Sequence, residues 1–202
     1  MQEIEAYLSE KDPILKEIIA ITPQYKKGFE AGTDVYITLL ESIVSQQISV
    51  KAADTIFARF CALFPEGYPS PKLLLNAIEE ELRAAGLSFQ KIKYLQSVAE
   101  FSNKNRLDFE FFLEMTDEEI VQYLLPIKGV GRWTVEMLLM FTLDRPDVFP
   151  IDDLVVRQKM VRAYSLTSTA KEQRKELTAI AENWKPYRSL ACKYMWRWQP
   201  EK

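Results

Sequence analysis

Residues 125–141 read LPIKGVGRWTVEMLLMF, and they place two of the chain's six glycines one residue apart. Apolar residues recur at helical spacing on both sides of this pair, so the stretch predicts two helices joined by a tight hairpin. Glycine accepts positive φ and has no Cβ to obstruct a close neighbour. We therefore expect Gly129 and Gly131 to supply positive φ and close approach at this turn.

The start of the second helix predicts an anion site. The first backbone N–H groups of a helix have no partner within it, and the helix dipole adds partial positive charge there. Lys128 and Arg132 flank the turn, so a phosphate is the expected occupant. The Gly-x-Gly spacing alone favours an ordinary helix–helix turn, and the assignment therefore depends on the residues downstream.

The rest of the chain reads as helical, and no alternating strand pattern is found in it. Gly86 predicts a helix end, and residues 90–101 resume the helical period. We predict an all-α fold with a helix-hairpin-helix motif at 117–143. The expected helix starts have a capping side chain or an early proline, at Thr33, Ser49, Ser70-Pro71, Thr116 with Glu119, Asp152 or Asp153, and Pro186.

Length and composition suit one globular domain over residues 1–202, with 48% hydrophobic residues to form a core. No apolar run is long enough for a transmembrane helix, which needs about 18 residues or more. The N-terminal stretch MQEIEAYLSEKDP lacks the basic start and apolar segment of a signal peptide. We expect an intracellular monomer, in the cytoplasm and nucleoid or in a nucleus.

Residue types and charge limit the chemistry. The chain has two cysteines and no histidine, which excludes a four-cysteine cluster or zinc site and any histidine catalysis. Although the net charge is −3, residues 126–202 hold 14 basic and 9 acidic residues, a net charge of +5. The half that contains the hairpin could therefore bind a polyanion locally.

Four segments together carry a family resemblance. GVGRWTVEMLL, followed by DVFPIDDLVVRQ, resembles the hairpin, loop and catalytic aspartate of the helix-hairpin-helix DNA glycosylases. The segment AENWKPYRSLACKYMWRWQP resembles the C-terminal part of the 3-methyladenine DNA glycosylase II family, the AlkA type. SIVSQQISVKAA and GLSFQKIKYL resemble that family's QQxS segment and DNA-probing loop. The resemblance runs from about residue 35 to the end, with Lys128-Gly129 where the family usually has Pro-Gly.

The resemblance implies a two-lobed helical fold of the HhH-GPD glycosylase type, with the active site in the cleft between the lobes. We place the lobes at about 35–110 and at 1–34 with 111–202, joined by a hinge near 102–116. Longer family members have an additional N-terminal β domain, for which this chain looks too short.

The resemblance assigns the catalytic carboxylate to Asp153 and leaves Asp152 as a helix cap or supporting charge. Without the resemblance, capping is the simpler interpretation of either aspartate. Cleavage of an N-glycosidic bond develops positive charge on the deoxyribose, and a carboxylate beside C1′ stabilises that charge. This role suits Asp153 better than that of a strong general base.

Trp133 stands where strand-cutting relatives have a lysine that attacks C1′ and forms a Schiff base. Tryptophan cannot do so, and we therefore expect hydrolysis of the base alone. Lys128, Lys159 or Lys193 could act instead, which keeps a bifunctional glycosylase/lyase as an alternative. A non-catalytic helix-hairpin-helix DNA-binding module is the other alternative.

The aromatic residues indicate the substrate. By resemblance, the base pocket contains Trp133, Met137, Trp196 and Tyr36, although core packing explains any single aromatic equally simply. Positively charged 3-methyladenine and 7-methylguanine suit an electron-rich indole face. The predicted function is therefore a monofunctional glycosylase that flips and excises alkylated purines from duplex DNA during base-excision repair.

Further residues are assigned to DNA and to a cation. Phe89 is the expected intercalating wedge, with Leu87 as the alternative. No cofactor is expected, but sodium or potassium could bind the backbone carbonyls of Leu125, Ile127 and Val130. The remaining DNA contacts are assigned to two glutamines and the hairpin: Gln46, Gln47, Lys128, Gly129, Val130, Gly131, Arg132 and Thr134.

Overall fold

The computed structural model describes residues 1–24 and 34–199. These residues form α-helices joined by short loops, with a 3₁₀ turn at Pro65–Gly67, a π-helical turn at Leu138–Thr142 and no β-strand, which confirms the all-α prediction. The helices are α1 (Gln2–Lys11), α2 (Pro13–Ile21), α3 (Val35–Ser45), α4 (Val50–Cys61), α5 (Pro71–Leu75), α6 (Glu79–Ala84), α7 (Phe89–Ser102), α8 (Phe109–Leu113), α9 (Asp117–Leu124), α10 (Arg132–Met137), α11 (Leu154–Ala163), α12 (Ala170–Glu182) and α13 (Arg188–Arg197).

Several predicted helix starts are confirmed by their capping hydrogen bonds. The Ser49 hydroxyl accepts a hydrogen bond from the Ala52 N–H. The side chains of Thr116 and Glu119 form the predicted capping box in front of α9. Local side-chain bonds of this kind compete well with solvent because the partners are only three residues apart.

At three other helices, the capping residue or the first residue differs from the prediction. The cap of α3 is Asp34, whose carboxylate accepts from the Ile37 N–H, and the predicted cap Thr33 lies outside the described residues. Helix α5 begins at Pro71 as predicted, but no side-chain bond caps it. The last helix begins after Tyr187, not at Pro186, because the Tyr187 N–H closes a turn onto the Trp184 carbonyl first.

Packing divides the chain into two units that differ from the predicted lobes. We call Met1–Phe29 with Leu139–Lys202 the terminal unit, and Glu30–Leu138 the central unit. The expected hinge at 102–116 lies within the central unit and contains α8. The hairpin's first helix, α9, also belongs there, because Tyr123 on α9 packs against the rings of Phe111 and Phe112 on α8.

None of the helices in the described part of the chain has the length and hydropathy needed to cross a membrane.

The terminal unit is held together by a buried carboxylate. Asp12 caps α2 by accepting from the Ile14 and Leu15 N–H groups, both at 3.0 Å. Its other oxygen accepts from the Tyr164 hydroxyl at 2.5 Å and from the Trp184 indole N–H at 2.8 Å. Burial, reinforced by Asp12, raises the pKa of Tyr164 and keeps its hydroxyl a donor. One side chain therefore joins α2 to the ends of α11 and α12.

We expect Asp12→Ala to lower the free energy of unfolding by about 3 kcal/mol, because it leaves the buried Trp184 indole and the half-buried Tyr164 hydroxyl without their acceptor and removes a helix cap. Denaturant unfolding followed by circular dichroism measures the change. Glu10→Ala removes an exposed carboxylate two residues earlier and is the matched control. Equal stability of the two variants would contradict the structural role of Asp12.

Candidate active site

Asp153 is a buried carboxylate in the terminal unit, with 6% of its surface exposed. It caps α11, and its Oδ1 accepts from the Val156 N–H at 2.8 Å. The same oxygen accepts from the Trp196 indole N–H at 2.8 Å. Two donors from different helices therefore fix the orientation of the carboxylate, as a group that must face a reacting atom requires.

Asp152 has a different environment from its neighbour. It is exposed, and its carboxylate pairs with the Arg174 guanidinium at 2.6 Å. Of the two candidate caps for α11, Asp153 and not Asp152 is the cap, because the Asp153 carboxylate accepts from the Val156 N–H. Asp152 remains a supporting charge, neutralised by an arginine from α12.

Trp196 joins the carboxylate to an aromatic stack. Its ring is nearly parallel to that of Phe141, with centroids 5.2 Å apart. Stacking and the hydrogen bond to Asp153 together fix the indole plane. Sequence reasoning missed Phe141, because an aromatic residue at helical spacing carries no signal beyond core packing.

Lys159 and Lys193 are the candidate nucleophiles of this unit, and the ammonium group of each already contacts oxygen atoms of the protein. The Lys159 ammonium donates to the carbonyls of Trp196 and Trp198 at the end of α13, at 2.6 and 2.5 Å. Burial lowers the pKa of Lys159. Lys193 is buried, with its ammonium 3.7 Å from Asp144 and 5.3 Å from the centroid of the Phe141 ring. Both geometries indicate structural roles.

In the central unit, the two hairpin glycines differ in backbone conformation and in the space around them. Gly129 has φ +89°, and a Cβ built on it would lie 2.3 Å from Cγ of Tyr94. Gly131 has φ −102° and ψ 172°, and nothing lies within 4 Å of its ideal Cβ. The prediction of positive φ is therefore confirmed for Gly129 and wrong for Gly131, whose extended backbone simply precedes α10.

Helices α3 and α7 hold the hairpin in place. The Ser97 hydroxyl on α7 accepts from the Lys128 N–H at 3.1 Å. The Gln46 amide, at the end of α3, donates to the Gly129 carbonyl at 3.0 Å. These contacts explain why the hairpin packs with the central unit. They also give Gln46 a role in positioning the hairpin that the sequence did not suggest.

The other predicted hairpin contacts differ in accessibility. The Arg132 guanidinium is exposed and pairs with the Glu118 carboxylate at 2.8 and 3.0 Å. The Lys128 side chain is exposed, whereas the side chains of Val130 and Thr134 are buried. Burial excludes DNA contact through the latter two side chains, so only their backbone groups could serve.

A polar cavity of about 430 Å³ adjoins the hairpin within the central unit. Gln90 and Tyr94 line it, and the Gln90 amide donates to the Tyr94 hydroxyl at 2.6 Å. Gln47 is exposed at its rim with φ +60°. The complete lining is Gln46, Gln47, Ser88, Gln90, Lys91, Tyr94, Gly129, Val130 and Gly131.

The two wedge candidates are clearly distinguished by exposure. Phe89 is the first residue of α7 and is 57% exposed, with the Arg83 guanidinium 4.2 Å from its ring centroid. Leu87 is only 1% exposed. Phe89 is therefore the candidate that is free to enter a base stack, and its role as the wedge stays a prediction.

The base-recognition residues of the central unit also differ in accessibility. Trp133 is 41% exposed, and Met137 is half-buried one turn later. Tyr36 is buried, and its hydroxyl donates to the Pro69 carbonyl at 2.8 Å. Burial raises the pKa of Tyr36, so the phenol stays neutral. The pocket role of these residues stays a prediction.

Metal ligands of the usual kinds are not grouped in residues 1–24 and 34–199, where no three His, Cys, Asp or Glu side chains could share an ion. The predicted carbonyl site at the hairpin has a different donor chemistry. The Ile127 carbonyl accepts from the Val130 N–H at 3.0 Å and retains a second lone pair. An all-oxygen donor set of this kind fits a hard alkali cation.

The family to which the chain belongs follows from its match to a protein-family model. Residues 40–186 match the model described as HhH-GPD superfamily base excision DNA repair protein. The chain belongs to this superfamily. Its hairpin, α9 to α10, and its capping Asp153 both fall within the matched segment of the HhH-GPD protein.

Relatives of this HhH-GPD protein are similar over nearly the whole chain. DNA-3-methyladenine glycosylase 1 of Schizosaccharomyces pombe is 32% identical over 200 residues, which cover 98% of this chain and 87% of that protein. The solved structure of the S. pombe 3-methyladenine DNA glycosylase in complex with abasic DNA has a TM-score of 0.86 and 33% identity, covering 96% and 95% of the two chains. A DNA-3-methyladenine glycosidase from Bacillus halodurans has a TM-score of 0.79 and 32% identity, covering 94% and 85%.

Proposed function

We propose that this HhH-GPD protein is a monofunctional DNA glycosylase that flips alkylated purines out of duplex DNA and hydrolyses their glycosidic bonds. Its substrates are 3-methyladenine and 7-methylguanine, and its product strand contains an abasic site for base-excision repair. The observation that carries the proposal is the buried Asp153, held by donors from Val156 and Trp196, in a chain whose relatives are named 3-methyladenine glycosylases.

Asp153 stabilises the charge that develops as the base leaves. The bond breaks with its electron pair departing on the base, and C1′ and the ring oxygen of the deoxyribose share the resulting positive charge. A fixed carboxylate beside that centre stabilises the transition state more than the ground state, in which the positive charge is still on the alkylated base and not on the sugar. Water then adds to C1′, and Asp153 accepts its proton or orients it.

The reaction ends at hydrolysis because Trp133 replaces the attacking amine and because Lys159 and Lys193 are held by other groups. Trp133 occupies the position at which lyase relatives have their nucleophile. The Lys159 and Lys193 ammonium groups contact carbonyl and carboxylate oxygens. A Schiff base would require a neutral amine that has left these partners.

The central unit binds the DNA duplex. The backbone N–H groups of Gly129, Gly131 and Arg132 bind a phosphate, and Phe89 fills the gap left in the base stack. The exposed indole of Trp133 recognises cationic alkylated bases through its π face, assisted by Met137. The exposed Gln47 offers its amide to base edges in the minor groove, while the Gln46 amide holds the hairpin through the Gly129 carbonyl.

No cofactor is needed for this chemistry. A sodium or potassium ion held by the carbonyls of Leu125, Ile127 and Val130 would stabilise the hairpin and the bound phosphate electrostatically. The protein works as a monomer in the compartment that holds the DNA, whether the cytoplasm and nucleoid or a nucleus.

The test uses an end-labelled duplex methylated with dimethyl sulfate. We expect enzyme-dependent strand breaks that appear only after alkali, and no covalent adduct when sodium borohydride is present. A no-enzyme sample measures spontaneous depurination. Breaks without alkali, together with a borohydride-trapped adduct, would instead support the bifunctional glycosylase/lyase. Duplex binding with no excess of breaks would support the non-catalytic binding module.

A further inference from the structure

A cavity of about 330 Å³ lies between α11 and α12 in the terminal unit. We call it the α11–α12 cavity. Leu154 and Leu177 are on its apolar side, and the polar groups at its rim are Arg157, Arg174, Gln158 and Gln173. Among the residues that the structure describes, no carboxylate lines this cavity. None of the site residues predicted from the sequence belongs to this cavity.

Arg157 is a half-buried arginine that lines the α11–α12 cavity. Its guanidinium makes no hydrogen bond or ion pair with any residue in the described ranges 1–24 and 34–199. By contrast, Arg174 on the other wall is paired with Asp152 at 2.6 Å. Removing a guanidinium from water without a partner costs free energy, which an anionic ligand would offset.

The position of Arg157 in the chain indicates which anion would lie close to its side chain. Helix α11 begins directly after Asp153, so Arg157 follows the catalytic carboxylate by about one helical turn, or ~6 Å along the axis. A DNA strand has one phosphate per ~3.4 Å of duplex axis. A strand whose deoxyribose meets Asp153 therefore brings neighbouring phosphates within reach of this side chain.

We propose that the α11–α12 cavity binds a phosphodiester of the strand that carries the damaged nucleotide, with Arg157 as its principal contact. This inference rests on the proposed function, which places the strand at Asp153. The guanidinium offers two parallel N–H groups to the phosphate oxygens, and the amides of Gln158 and Gln173 add neutral donors. The exposed side chain of Leu154 accommodates the apolar edge of the sugar. Such contacts position the strand and read no sequence.

Binding measurements on Arg157→Gln test the site. The ligand is a duplex with a non-hydrolysable abasic-site analogue, titrated at several salt concentrations between 50 and 200 mM. We expect about tenfold weaker affinity than that of the wild type, because a charge-assisted contact is lost. We also expect the slope of log K against log salt to become shallower by ~0.9, the value for one phosphate.

Two further variants make the result specific. Lys175→Gln removes an exposed charge from α12 outside the cavity and should leave both affinity and slope unchanged. Arg157→Lys keeps the charge, so it should retain the slope while losing part of the affinity through its single-point geometry. Thermal melts confirm that each variant is folded.

Two results would overturn the inference. One is an Arg157→Gln protein that binds the abasic duplex with the affinity and salt slope of Lys175→Gln. The other is stabilisation by inorganic phosphate, at constant ionic strength, of the wild type but not of Arg157→Gln, with DNA affinity equal in both; this would assign the cavity to a free anion. Failure of the proposed function is recognised separately, as wild-type protein that releases no base from methylated DNA.

Discussion

Asp153→Asn should lower the rate of base excision by roughly 10²–10³-fold, the scale measured when one preorganised electrostatic group is removed from an active site. The substitution is nearly isosteric. An asparagine oxygen can still accept from the Val156 N–H and the Trp196 indole, so the local geometry should survive. What disappears is the negative charge that stabilises the cationic sugar.

Single-turnover excision with enzyme in excess measures this effect without interference from product release, and binding to an abasic-analogue duplex shows whether the site still assembles. We expect the affinity of the variant to stay within about threefold of the wild type. Asp152→Asn is the matched control, since it changes the same charge one residue earlier at an exposed, arginine-paired position. A comparable rate loss in both variants would mean that general charge near α11, and not Asp153, drives the reaction.

Gly129→Ala should unfold or displace the hairpin. The new methyl group would lie 2.3 Å from the Tyr94 ring, and the φ of +89° is one that alanine adopts only with strain. Together these effects should lower the free energy of unfolding by about 2 kcal/mol or more. Affinity for undamaged duplex should fall at least about tenfold, because the phosphate-binding N–H groups move with the turn.

Gly131→Ala is the natural comparison, because its Cβ would meet nothing within 4 Å and its φ of −102° suits any residue. Thermal unfolding should therefore separate the two variants clearly, with Gly131→Ala close to the wild type. A loss of DNA affinity in a stable Gly131→Ala protein would locate the phosphate against that Cα. Equal stability of Gly129→Ala and wild type would contradict the packing of Tyr94 beneath the turn.

Local sequence signals predicted the helices well. The capping box of Thr116 and Glu119, the Ser49 cap and the helix end at Gly86 act over three or four residues, so the neighbouring sequence nearly determines them. Asp153 was assigned by resemblance, and the hydrogen bond that fixes it comes from Trp196, 43 residues further on. Periodicity predicts that such an indole lies on a helix but not which side chain it meets.

Long-range contacts account for what the sequence could not predict. The hairpin belongs to the central unit because Ser97 and Gln46 bond to it from 31 and 83 residues away. Asp12 acquires its role from Tyr164 and Trp184, 152 and 172 residues downstream. The Arg157 guanidinium, which has no polar partner within residues 1–24 and 34–199, is likewise a property of the packed structure, since its sequence neighbours resemble any amphipathic helix.

Chemical identification of the released product tests the central claim most directly. Duplex DNA methylated in vitro is incubated with the wild type and with Asp153→Asn, and the soluble fraction is separated by liquid chromatography. The account predicts free 3-methyladenine and 7-methylguanine from the wild type, near-background amounts from the variant, and intact strands until alkali is added. Unchanged release by Asp153→Asn, or no release by a wild-type protein that binds the duplex, would contradict it.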